Sequence, residues 1–146
     1  MDANDHLSHE AILRMINTIP IFSGIDFHEQ NMLAYKSVIV EFNTGVILMK
    51  QGEIADRLYA ILEGGVDVIK TKSNHSVRIN RLRAGDVFGE IAILRKIPRT
   101  ASIITTMPCK FLSISGKDFL EIYQYFSPKA RDNIQLMVEK RLAQQG

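Results

Sequence analysis

Phe88-Gly89-Glu90-Ile91-Ala92-Ile93-Leu94-Arg95-Lys96-Ile97-Pro98-Arg99-Thr100-Ala101-Ser102 decides how this chain is read. One compact stretch brings together a small-residue turn, a carboxylate, a short apolar helical run and an arginine. These groups suit a ligand that carries both a phosphate and a sugar hydroxyl. A phosphate needs backbone N–H donors at a helix start, where the dipole adds roughly 0.3–1 kcal/mol. The planar fork of a guanidinium matches two phosphate oxygens, and a carboxylate accepts from a hydroxyl. Gly89 has no Cβ, so ligand and backbone can approach closely there. The candidate binding residues are Gly89, Glu90, Arg99 and the backbone of Ile91 and Ala92.

Outward from this stretch the period of the apolar residues is two. Val38, Val40 and Phe42 alternate with Ser37, Ile39 and Glu41, which predicts a strand. Asn43-Thr44-Gly45 turns the chain into Val46-Ile47-Leu48-Met49, and Gln51-Gly52-Glu53 turns it again. Further strands are expected at about 58–62, 66–70, 77–82, 102–106 and 111–115. Turns at 63–65, 71–76 and 84–86 separate them. Short strands at this spacing with glycine turns predict a sandwich or jelly roll. The helical run at 89–94 interrupts that rhythm, and an anion site explains the interruption.

Helices flank the strands. Ile12, Leu13, Ile16 and Ile19 recur at helical spacing, so a helix is expected over about 9–18, and a second over about 28–35 with Asp26 as its N-cap. After Ser115-Gly116 the chain turns helical again over 116–124. Ser127-Pro128 then opens a last helix, with Ser at the N-cap and Pro at the first helical position. Ile134, Val138 and Leu142, with Met137 beside them, mark its buried stripe. The expected organisation is one domain over 1–146: N-terminal helices at about 9–35, strands at about 37–115, and C-terminal helices at about 116–144.

With 146 residues, 46% apolar and 23% charged, the chain reads as an ordinary globular domain. A net charge of +2 is too small to argue for nucleic acid. No apolar run approaches the ~18 residues that span a bilayer, and the polar start Met1–His6 is unlike a secretory signal. The lone Cys109 excludes an internal disulfide and suits a reducing compartment, so a cytoplasmic location is expected. It reads as a strand residue, since no basic partner is evident. No P-loop or dinucleotide fingerprint is present. His6, His9, His28 and His75 are scattered and read as solvated, so no metal site is expected. Lys70, Lys72, Arg78, Arg81 and Arg83 read as a solvated strand surface.

The central stretch resembles the phosphate-binding cassette of cyclic nucleotide-binding domains, matching at Phe88, Gly89, Glu90, Ala92, Pro98, Arg99, Thr100 and Ala101. The resemblance extends from about Ile12 to Leu142. It includes Ile19–Ile25, Gln51-Gly52-Glu53, Tyr59–Val68 and Leu82–Phe88. It implies a mainly β fold: an eight-stranded antiparallel jelly-roll-like β-roll (a double-stranded β-helix) with N-terminal helices, a short cassette helix and C-terminal helices. It also implies a regulatory module rather than an enzyme, with cAMP or cGMP as ligand and no cofactor.

On that resemblance the phosphate would meet Gly89–Ala92 and Arg99, and Glu90 would hold the ribose 2′-hydroxyl. Thr100 stands where many cAMP-preferring relatives carry alanine, and threonine there is associated with tolerance of guanine. Met137, Val138 and Arg141 are the candidates for a lid over the base, with core packing as the alternative. Relatives usually carry an output module. None is recognisable after Gly146, so the chain is expected to be a stand-alone sensor or a domain apart from its output, acting on an unidentified protein partner. A homodimer through the last helix stays open. Two rivals keep the fold: an interaction scaffold without ligand, and a cupin-type metalloenzyme, which would want the clustered histidines this sequence lacks.

Overall fold

The computed structural model describes residues 8–145. Two four-stranded antiparallel sheets form the centre. One has the order β1(Val38–Phe42), β8(Cys109–Ser115), β3(Arg57–Glu63), β6(Val87–Phe88). The other has the order β2(Ile47–Met49), β7(Ser102–Thr105), β4(Gly65–Lys72), β5(His75–Arg83). This is the expected mainly β architecture with flanking helices, and its eight strands include one, β6, that the sequence rhythm does not give. Two residues are too few to show alternation, and β6 is defined only by pairing Tyr59 with Phe88 and Ala60 with Val87.

Strand alternation sorts the apolar residues into two cores. Met49, Ile61, Val66, Val68, Leu82, Phe88, Ala101, Ile103 and Phe111 pack together, with Val40, Phe42 and Tyr59 against them. Tyr59 stacks on Phe88 with ring centroids 5.2 Å apart, and Phe111 meets both rings edge-on at 5.8 and 5.4 Å. Ile39, Leu58, Ala60, Leu112 and Ile114 belong instead to a second core, which they share with the helices. Val38 is exposed. A fully buried ring of this kind contributes roughly 1.5–3 kcal/mol.

The helices are α1(His9–Asn17), α2(Pro20–Ser23), α3(Phe27–Lys36), α4(Glu90–Arg95), α5(Gly116–Tyr123) and α6(Pro128–Gln145). Ile16, Ile19, Phe22, Leu33, Phe119, Ile122, Phe126 and Ile134 fill the helical core. Asp26 sits at the N-cap of α3, but its side chain makes no capping bond. Ser127 does cap α6, accepting from the Ala130 N–H at 3.1 Å. The short α2 was not foreseen, because four residues are too few to establish a helical period.

The β4–β5 hairpin is longer than expected. Its turn is only Ser73-Asn74, with φ of 50° and 66°, and Lys72 pairs with His75. A two-residue hairpin turn of this hand needs positive φ at both positions, which the polar run 71–76 does not specify. Of the four histidines, His6 lies outside the described residues. His9 is not simply solvated: its ring packs against Tyr35, and Nε2 lies 2.6 Å from Asn31 Oδ1. His28 and His75 are exposed.

Candidate functional site

The chain leaves β6, turns at Gly89 with φ 91°, and enters α4. That positive φ suits glycine, and close packing makes any larger residue worse. A Cβ on Gly89 would stand 3.0 Å from the Arg57 carbonyl oxygen and 3.1 Å from Arg99 Nη1. The turn therefore brings three groups together: the amides at the start of α4, the Glu90 carboxylate and the Arg99 guanidinium.

Arg99 is only 6% exposed. Its Nη1 donates to the Gly89 carbonyl at 2.9 Å and its Nη2 to the Arg57 carbonyl at 2.6 Å. Burial lowers the guanidinium from its ordinary value, and Asp56 opposes that most strongly. The Asp56 carboxylate lies 3.8 Å from Nη2 but is 87% exposed, so water screens the pair. Two backbone carbonyls thus fix the orientation of a buried cation, with the Glu90 and Glu53 carboxylates adding electrostatic support.

Glu90 is 2% exposed. Burial pushes its carboxyl above the ordinary carboxylate value; Arg141 is the largest of the opposing influences. Arg141 Nη1 donates to Glu90 Oε1 at 2.5 Å and also to the Val87 carbonyl. The other carboxylate oxygen, Oε2, is buried with no hydrogen-bond partner. A buried acceptor left unpaired costs about 1–3 kcal/mol, so this oxygen is suited to a donor the protein does not supply.

These groups border one cavity with a free volume of about 50 Å³. Phe88, Gly89, Glu90, Ile91 and Ala92 line it on the cassette side, with Arg99, Thr100 and Ala101 beside them. Met49, Val68, Ile79, Leu82 and Ile103 give it an apolar wall. The end of α6 closes it through Arg141, Gln144 and Gln145, and Asn80 on β5 donates to Gln144 Oε1 at 3.2 Å. A cationic group, an unpaired acceptor and an apolar wall together match a molecule with an anionic, a hydroxylated and a flat apolar part. Among the described residues, no group of three or more His, Cys, Asp or Glu could hold a metal ion, and no helix is long and apolar enough to cross a membrane.

Residues 39–126, more than half of the chain, match the model of the cyclic nucleotide-binding domain. The chain belongs to this family. The type II regulatory subunit of a cAMP-dependent protein kinase from Drosophila melanogaster is 34% identical over 92 residues, covering 63% of this chain and 24% of that protein. The regulatory domain of Toxoplasma gondii protein kinase A, solved with cAMP, superposes with a TM-score of 0.81 at 23% identity, covering 90% of this chain and 50% of that one. The regulatory subunit of a cAMP-independent protein kinase A from Trypanosoma brucei superposes at 0.82 with 23% identity, covering 90% and 47%. The chain thus spans about a quarter of the Drosophila relative's length, and the two structures share its β-roll fold.

In this cyclic nucleotide-binding domain Phe88, Gly89, Glu90, Ile91, Ala92, Arg99, Thr100 and Ala101 all border the cavity, whereas Pro98 of the cassette does not. The three lid candidates separate. Arg141 enters the cavity but pairs with Glu90 rather than lying open over a base site. Val138 is fully buried away from the cavity lining. Met137 lines an outer groove between β5 and α6 and does not reach the cavity. Sequence reasoning missed Asn80, Gln144 and Gln145. The signal was present in the spacing: Ile134, Val138, Arg141 and Gln145 follow one another at three or four residues along one helix face. Of the basic hairpin residues, Lys70 is not purely a solvated charge: it donates to the Thr100 carbonyl at 2.7 Å and braces the cassette's exit.

Proposed function

We propose that residues 1–146 act as one cytoplasmic ligand-sensing domain whose cavity takes a cyclic purine nucleotide. The phosphate meets Arg99 and the amides of residues 89–92, the ribose hydroxyl meets Glu90, and the base lies against the apolar wall. The observation that carries this is the buried pair flanking Gly89: a guanidinium held by two carbonyls, and a carboxylate with one oxygen lacking a partner. A buried cation and a buried unpaired acceptor on one cavity are costly without a ligand to use them. Thr100 and Ala101 at the same rim, with Thr100 offering a hydroxyl, favour acceptance of cGMP as well as cAMP.

The role is regulatory. Relatives described as regulatory subunits of cAMP-dependent kinases support a protein kinase catalytic subunit as the output partner. Ligand would act by shifting α4 and α6 relative to the sheets, and a full switch needs about 5 kcal/mol of differential affinity. Calorimetric titration with cAMP and cGMP tests the binding. Arg99→Lys keeps the charge but loses the two-pronged fork, and should weaken binding by ~1.5–3 kcal/mol. A wild-type chain that takes up neither nucleotide refutes the reading, and unchanged affinity in the lysine variant places the phosphate elsewhere.

A further inference from the structure

The outer groove between β5 and α6 has a free volume of about 580 Å³. Its two walls differ in kind. One is β5, an edge strand of its sheet, which contributes the four consecutive residues 80–83. The other is one face of α6, which contributes Asn133, Leu136, Met137, Lys140 and Gln144 at helical spacing.

An edge strand presents N–H and C=O groups that no neighbouring strand takes. In β5 the Arg81 N–H donates to Asn80 Oδ1 at 2.8 Å, and the Arg83 N–H donates to Asp86 Oδ2 at 3.0 Å. Two amides on the strand's period of two are thus met by short local side chains rather than by a ladder partner.

The groove is also cationic. Arg81 pairs with Asp67 and Arg141 with Glu90. Arg83 and Lys140 make no ion pair or side-chain hydrogen bond among the described residues. Asp86 is the one carboxylate in the lining, and the Arg83 amide occupies it. Beside these cations Met137 and Leu136, which is 55% exposed, form an apolar seat.

We propose that this groove docks an acidic, extended segment of a partner protein, which adds to the free edge of β5 as a further strand. Carbonyls of the segment take the Arg81 and Arg83 amides from Asn80 and Asp86. Its carboxylates face Arg83 and Lys140, and an apolar side chain rests on Leu136 and Met137. Strand addition draws affinity from main-chain bonds and specificity from alternate side chains. The same two cations repel a basic edge, so the groove discriminates by charge. Nothing in this docking depends on what the cavity holds.

The test is an NMR titration of the full chain with a capped peptide alternating Glu with Val, beside one alternating Lys with Val. The acidic peptide should shift the amides of Arg81, Arg83, Leu136 and Lys140 and slow hydrogen exchange at Arg81 and Arg83; the basic peptide should not bind. Reversing both free cations, with Arg83→Glu and Lys140→Glu together, should weaken the acidic peptide by roughly 10-fold or more. Leu136→Asn, at an exposed position, should weaken it as well and keeps the test open if the double reversal unfolds. No shifts, shifts confined to other surfaces, equal binding of the two peptides, or unchanged affinity in the variants overturns the proposal. Shifts at the groove that follow the chain's own concentration and not the peptide's place a second copy there, and overturn it too.

Discussion

Replacing Gly89 with alanine probes the turn on which the whole cassette hangs. The backbone there has φ 91°, a conformation that costs an ordinary L-residue about 1–2 kcal/mol. The new methyl would also stand 2.7 Å from Met49 Cε, 3.0 Å from the Arg57 carbonyl oxygen and 3.1 Å from Arg99 Nη1. The Met49 terminus can swing aside at small cost. The Arg57 oxygen cannot, because it belongs to the β3 backbone and already accepts from Arg99.

The guanidinium must therefore shift, giving up at least one charged hydrogen bond of about 1.5–3 kcal/mol. Together these predict a loss of about 2.5–5 kcal/mol, or roughly 5–20 °C in Tm for a domain of this size. Thermal unfolding and nucleotide titration read the two consequences separately, since the displaced arginine should weaken binding too. A Gly89→Ala protein with Tm within about 2 °C of wild type and unchanged nucleotide affinity would mean that neither the left-handed turn nor the seat of Arg99 matters as described.

Glu90→Gln addresses the buried carboxyl. Burial raises its folded-state value, so its contribution to stability is fully present below the unfolded value of about 4.3 and is lost as pH climbs through the folded value. The Tm of the glutamine variant relative to wild type should accordingly grow from pH 4 to neutrality (about 7), as followed by scanning calorimetry; a flat or falling difference would contradict the burial effect. Ser115 caps α5 by accepting from the Asp118 N–H at 3.1 Å. Its replacement by alanine should cost about 1 kcal/mol in denaturant unfolding while leaving nucleotide affinity alone, and a change in affinity would show that α5 is coupled to the cavity.

Much of the site was legible because its chemistry lies in one continuous stretch. Gly89, Glu90 and Arg99 announce a turn, an acceptor and a fork whatever surrounds them, and the apolar period of two on either side identifies the strands that hold them. What the sequence hid is nonlocal. Asn80 and Gln145 reach the cavity only because β5 and the end of α6 converge there, and an amide side chain has the same appearance at a surface and at a pocket. Arg141 stands out in the sequence as a basic residue of the last helix, but its contact with Glu90 does not, since 51 positions separate the two in the chain. Arg99 likewise showed its charge but not its second use. Its bonds to the carbonyls of Gly89 and Arg57 make it a structural brace before any ligand arrives.

The middle of the sheet built from β1, β8, β3 and β6 is covered on both sides at β3 and β8. Leu58 and Ala60 look towards the helices, whereas Tyr59 and Ile61 look towards the space between the sheets. Such a partition behaves as a bulkhead. The helical core and the core between the sheets are separated by this one layer, so no residue in the middle of β3 is spare. A polar replacement at any of these four consecutive positions breaches one compartment or the other, so this strand should be among the least tolerant segments in a mutational library.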